Sequence, residues 1–206
     1  MNLQNYFYVY ERGLPKRLCD EIIMHGENSS ENTALTGGYD KIPDNQNDLS
    51  QLYKTRNSSI VWMEDSWIYR EIMPFIHEAN KEAGWNFLIK DKEACQFTKY
   101  KETQHYSWHQ DTFPNPYKLP RDRLDGYVRK ISVTVSLSDG ETYEGGDLEF
   151  DLRNNPDSSP NIIQSKQARI KGAITIFPSF IWHRVTPVTK GTRYSLVIWT
   201  VGEPFK

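Results

Sequence analysis

Leu18, Ile22 and Ile23 fall at helical spacing, and the stripe predicts an amphipathic helix over 15–27 with Pro15 in its first turn. A second stripe, Ile68, Ile72, Phe75, Ile76 and Ala79, predicts a helix over 66–83 with Ser66 as N-cap, a kink at Pro74 and a stop at Gly84. Between them, residues 33–59 are polar and rich in Gly, Asn, Asp and Ser, and read as loop up to the strand-like Ser59-Ile60-Val61-Trp62-Met63. Beyond Gly84 the apolar period drops from about 3.6 residues to about 2. Strand-like runs at 96–100, 128–138, 147–152, 173–177, 183–188 and 194–201 alternate with turn residues. Two long loops interrupt them, 112–127 with three prolines and 153–167 rich in Asn, Pro and Ser. Helices first and strands afterwards predict an α+β, mainly β fold, with N-terminal helices packed on one sheet of an antiparallel sandwich or barrel.

A length of 206 residues fits one domain, with helical and loop support over 1–90 and the β core over 91–206. Twenty-five basic residues against 27 acidic ones give a net charge of −2 without long like-charge runs, so no basic face for nucleic acid is encoded. No run of 18 apolar residues and no basic leader ahead of an apolar segment occur, which predicts no membrane partner. Cys19 and Cys95 lie far apart in no CxxC pattern, and a reduced, cytoplasmic setting is expected. Oligomeric state is not encoded legibly.

The stretch HYSWHQDT at 105–112 holds two of the five histidines. On a strand, His109 and Asp111 project from the same face, whereas on a helix they would diverge by about 200°. An imidazole and a carboxylate aimed at one point are two legs of a metal site, and His183, following Ile174–Phe177 and a turn at Pro178-Ser179, is the candidate third. Two histidines and one carboxylate on one face suit iron(II) with open positions. Taken alone, the His-x-Asp pair is weak evidence and reads more readily as two surface residues. Ten residues past His183, however, Arg193 opens a strand whose Arg193, Ser195, Val197 and Trp199 share one face. A guanidinium among apolar neighbours requires an anionic partner, and a dicarboxylate ligand would supply it.

With these residues in place the chain resembles the iron(II)- and 2-oxoglutarate-dependent oxygenases, in particular their prolyl 4-hydroxylase-like, PKHD-type branch. The segments that carry the likeness are RNSSIVWM at 56–63, FTKYKETQHYSWHQD at 97–111, RKISVTVSLSD at 129–139, YEGGDLEF at 143–150 and GAITIFPSFIWHRVTPVTKGTRYSLVIW at 172–199. The resemblance implies a double-stranded β-helix, or jelly-roll, core. It implies that His109, Asp111 and His183 hold Fe(2+) and that Arg193 pairs with the distal carboxylate of 2-oxoglutarate. Tyr100, Thr134, Ser136 and Trp199 would line the co-substrate pocket, and Tyr106, Phe113, Tyr117 and Arg129 the substrate side. The implied reaction uses O2, with ascorbate as an accessory reductant, to hydroxylate a residue of a peptide or protein, proline foremost, and releases succinate and CO2. Asp111 favours hydroxylation over halogenation, since related halogenases carry a small residue there.

Several positions keep a plainer reading. Thr134 and Ser136 fit the polar face of a half-solvated strand, Trp199 fits core packing, and the 112–127 loop could pack back on the domain rather than form a lid. Gly145-Gly146 reads as a turn into a strand, His105 as a rim residue, and His25 and His77 as helix-surface or packing residues. Thr103 stands where prolyl hydroxylases usually have glycine, and Ser136 where many have Tyr or Phe, which widens the pocket. Nucleobase demethylases resemble this pattern but carry a second arginine where Trp199 stands, a cupin-like enzyme independent of 2-oxoglutarate has no need of Arg193, and a small-molecule substrate remains an alternative within the superfamily. A non-enzymatic binding sandwich leaves all four residues without a reason. Strict alternation puts His105 and Ser107 on the face of His109, while the resemblance puts Tyr106 there, so a bulge before Ser107 is required or one assignment fails.

Overall fold

In the computed structural model, which describes residues 3–36, 41–155 and 157–205, the chain begins with β1 (Tyr8–Tyr10), α1 (Lys16–Glu27), β2 (Asn32–Thr33), α2 (Gln46–Thr55), β3 (Arg56–Asn57), β4 (Ser59–Met63) and α3 (Ser66–Glu82). Strands follow: β5 (Asp91–Lys92), β6 (Cys95–Tyr100), β7 (His105–His109), β8 (Val128–Ser136), β9 (Tyr143–Gly145), β10 (Leu148–Asp151), β11 (Ile162–Gln164), β12 (Ile174–Pro178), β13 (Trp182–Val185), β14 (Val188–Gly191) and β15 (Arg193–Gly202). They form a large antiparallel sheet in the order β1-β12-β8-β15-β6-β4-β2, with β5 on β15, a smaller sheet β11-β10-β13-β7-β3, and a ribbon β14-β9.

Alternation along the long strands sets the layers. Ile131, Val133 and Val135 of β8 join Phe97, Leu196, Ile198, Ile174 and Ile176 on the outer face of the large sheet, where Ile22 of α1 and Ile68, Ile72, Ile76 and Ala79 of α3 cover them. Burying each such Ile or Phe side chain is worth roughly 1.5–3 kcal/mol. A Cβ at Gly26 would sit 2.6 Å from the Phe97 ring, so glycine lets α1 rest directly on β6. The intervening residues Ser132, Thr134 and Ser136 are buried too, so β8 is no half-solvated strand: its polar face turns inward, toward the smaller sheet. The expected α+β, mainly β architecture with helices on one sheet is therefore present.

Local departures have physical causes. Residues 46–55, expected as loop, are helical because the Asn45 side chain accepts from Asp48 N at 2.9 Å and caps the turn; only Leu52 is buried, which leaves little periodicity to read. The cap of α3 is Asp65 rather than Ser66, without a side-chain hydrogen bond, and Pro74 lies inside the helix. The run expected over 183–188 breaks after Val185, at Pro187, which has no N–H for a ladder, and resumes as β14. Residues 153–167, read as loop, hold β11 and the start of a short 3-10 turn, Lys166–Arg169. Among the described residues no helix is long and apolar enough to cross a membrane.

Candidate metal centre and its cavity

β7 and β13 lie side by side in the smaller sheet, with His109 opposite His183. Asp111 follows the end of β7 and is tied down by the backbone: the N–H groups of Asp111 and Thr112 both donate to Ser179 O, at 2.9 and 3.1 Å. One ligand atom from each of His109, Asp111 and His183 then falls within 4.8 Å of the others. His109 Nδ1 lies 2.8 Å from Ser107 O and His183 Nδ1 lies 2.9 Å from Ile181 O. A carbonyl only accepts, so both imidazoles carry their proton on Nδ1 and turn the Nε2 lone pair inward. Those lone pairs face Asp111 at 3.7 and 3.5 Å, acceptor against acceptor, an arrangement that a divalent cation would satisfy.

The electrostatics hold the groups in ligating form. Burial, then the neighbouring His183, drives the His109 imidazole down to about 3, so it is neutral near pH 7. Burial pushes the Asp111 carboxyl up, but His183, His109 and Arg129 outweigh it and hold it at about 2. A histidine lowered in the folded state gives stability that is lost as pH falls, because the unfolded chain gains the proton first. The metal-free protein should therefore lose resistance to urea as pH falls from about 6.5 toward 3, and His109→Gln should flatten that dependence. An unchanged slope in the variant would remove His109 as its source.

From the triad a narrow cavity of about 40 Å³ runs toward the inner face of the large sheet, lined by Tyr100, Thr134, Arg193, Ser195, Val197 and Trp199 among others. The alternation of β15 places its four residues there together. Arg193 is 1% exposed, donates from Nη1 to Ser195 Oγ at 3.2 Å, and leaves Nη2 without a partner among the described residues. A Cβ at Gly146 would lie 3.0 Å from Arg193 Cδ, and Gly146 also has φ +61°, so glycine both makes the turn and seats the arginine. Ser136 is buried near this wall without joining it, its hydroxyl donating to Ser138 O at 3.4 Å. Thr103 takes φ +69°, the left-handed conformation a glycine would adopt, so the turn keeps its shape at a cost of about 1–2 kcal/mol.

A mouth adjoins this cavity at the triad, lined by Arg56, Trp62, Tyr106, Phe113, Arg129 and Trp199 with His109 and Asp111. Tyr106 stacks on His109 with ring centroids 3.5 Å apart, even though it is an odd number of residues away. A register shift explains this: Val185 pairs with Tyr106 but His183 with His109, so β7 carries one extra residue between them. His105 Nε2 and Ser107 Oγ face Lys54 O at 3.1 and 2.9 Å instead. Arg129 grips Glu93 with two hydrogen bonds of 2.7 and 2.6 Å and lies 4.0 Å over the Trp199 ring. Tyr117 does not reach the mouth, since its hydroxyl donates to Glu93 Oε1 at 2.8 Å and pins the 112–127 loop there, whereas Phe113 stays at the rim, 52% exposed. Arg56, Trp62, Gln96 and Glu93 belong to the site or its support and were not singled out from sequence. Gln96 was legible, because Gln96, Thr98 and Tyr100 alternate on β6; Arg56 and Glu93 sit in polar surroundings that read as surface.

The model of the 2OG-Fe(II) oxygenase superfamily matches residues 95–201, just over half of the chain, and the chain belongs to that superfamily. Within it, a PKHD-type hydroxylase of Alteromonas mediterranea is 32% identical over 107 residues, covering 50% of this chain and 41% of the relative. The chain spans about half the length of the curated relatives it matches. Its fold is that of a Pseudomonas putida prolyl-4-hydroxylase, with a TM-score of 0.65 at 18% identity over 98% of this chain and 95% of that one. It is also that of a Trichoplax adhaerens prolyl hydroxylase solved with a hypoxia inducible factor peptide fragment, with a TM-score of 0.63 at 16% identity over 96% of this chain and 84% of that one. The core is thus the jelly roll of these oxygenases.

Proposed function

We propose that this chain is an iron(II)- and 2-oxoglutarate-dependent dioxygenase that hydroxylates an amino-acid residue of a peptide or protein, with proline as the residue to test first. The observation that carries the reading is the unpartnered Nη2 of buried Arg193, set across one cavity from a converging His-Asp-His triad. Iron(II) would be held by His109 Nε2, His183 Nε2 and an Asp111 oxygen, and the distal carboxylate of 2-oxoglutarate by Arg193 with Ser195, Thr134 and Tyr100 alongside. With both groups bound, O2 converts a substrate C–H to C–OH while 2-oxoglutarate is oxidised to succinate and CO2. The chain's own part is positional. Ser107 O and Ile181 O fix the two histidine tautomers, Ser179 O fixes Asp111, and the buried walls keep water from the cavity.

The mouth supports a peptide substrate, since Trp62, Phe113, Tyr106 and Trp199 give it aromatic walls suited to a proline ring or an extended chain. The proposal also includes ascorbate as accessory reductant and a cytoplasmic location, the latter in keeping with the buried free thiols of Cys19 and Cys95. The test is succinate release from the iron-loaded protein over a panel of proline-containing peptides, free amino acids and nucleotides. Turnover of a prolyl peptide is expected; turnover confined to a free amino acid or a nucleotide would overturn the peptidyl assignment.

A further inference from the structure

Arg56 reaches the site from β3 and is only 6% exposed. Its Nε donates to Ser58 Oγ at 3.1 Å and its Nη2 to Gln96 Oε1 at 2.5 Å, both neutral acceptors, and its guanidinium lies 4.5 Å from the centre of the Tyr106 ring. Among the described residues no carboxylate comes within 4.0 Å of it. Arg129 differs, its charge being matched by Glu93 through two hydrogen bonds. On the proposed function, which this inference rests on, Arg193 is matched by the co-substrate. The two positive charges of iron(II) and the two negative charges of 2-oxoglutarate cancel. Asp111 then offsets one of the two cations, Arg56 and Arg193, that line the cavity, and a single positive charge is left over. A buried guanidinium with only neutral partners is costly, and a ligand that brings an anion removes the cost.

Arg56 also stands at the right place to meet a substrate. With Gln96, Tyr106, His109, Asp111 and Trp199 it lines both the inner cavity and the mouth. The same mouth is lined by Trp199, whose buried Nε1 has no hydrogen-bond partner among the described residues. We propose that Arg56 receives a carboxylate of the primary substrate, so that the molecule hydroxylated here carries an acidic group close to its reacting carbon. The carboxylate is either the terminal group of a peptide or amino acid, or an Asp or Glu side chain beside the hydroxylated residue. A purely structural arginine would instead serve only to press Tyr106 against His109.

Two matched pairs of probes separate these cases: N-acetyl-L-proline against N-acetyl-L-prolinamide for a terminal carboxylate, and acetyl-Pro-Asp-amide against acetyl-Pro-Asn-amide for a side-chain one. Binding to the protein loaded with manganese(II) and 2-oxoglutarate is read from paramagnetic relaxation of the probe protons, and 2-oxoglutarate affinity is measured in parallel. In the native protein the acid of at least one pair should bind about tenfold more tightly than its amide. Arg56→Gln should erase that preference and leave 2-oxoglutarate affinity within about twofold. Equal binding of acid and amide in both pairs, or a preference that survives Arg56→Gln, overturns the proposal. A loss of 2-oxoglutarate affinity in Arg56→Gln reassigns the residue to the co-substrate and overturns it as well. Failure of the native protein to bind 2-oxoglutarate is a separate result, and it overturns the co-substrate reading together with this one.

Discussion

Arg193→Met is expected to weaken 2-oxoglutarate binding by roughly a hundredfold to several thousandfold, while the protein without co-substrate unfolds at the same temperature or higher. The two halves have one cause. Arg193 is fully buried and one of its amino groups has no partner among the described residues, so without co-substrate its charge is poorly compensated, and methionine fills much of the same volume without it. When the co-substrate binds, that charge becomes half of a desolvated ion pair, and breaking such a pair costs about 3–5 kcal/mol. Calorimetric titration with 2-oxoglutarate, beside a thermal melt, reads both. A variant that binds 2-oxoglutarate within threefold of the native protein would show that the carboxylate sits elsewhere.

His183→Ala should lower iron(II) affinity by well over the roughly 10- to 100-fold that outer-sphere changes cost, because it removes one of the three proposed ligands. His105→Ala is the control. Its imidazole faces the carbonyls of Thr103 and Lys54, away from the triad, and its loss should leave metal binding unchanged. Equal metal affinities of the native and His183→Ala proteins would break the assignment of the triad.

Much of this site could be read from the strands. A period of about two residues delivers Arg193 with Ser195, Val197 and Trp199 to a common face, and the burial of Arg193 follows from its apolar neighbours. The expected strand ends at His109, and Asp111 reaches the same point through the bonds of its own and the next N–H to Ser179 O. The inward turn of Thr134 was not legible, because an alternating strand looks the same whether its polar face meets water or a polar cavity. Nor could alternation place Tyr106, since the extra residue in β7 is a matter of pairing with β13 and leaves no mark in composition. α2 escaped notice for want of more than one buried residue. Arg56 and Glu93 were hidden for a further reason: charged residues in polar stretches read as solvated, and only the tertiary fold brings Glu93 to Arg129 and Arg56 to Gln96.

The central claim is that one cavity holds iron at the triad and 2-oxoglutarate between the metal and Arg193. Adding iron(II) and 2-oxoglutarate to the purified protein without oxygen and recording the visible spectrum tests it most directly. A weak charge-transfer band should appear, be absent from His183→Ala, and need far more 2-oxoglutarate to develop in Arg193→Met. A colourless native sample with no affinity for 2-oxoglutarate would contradict the account.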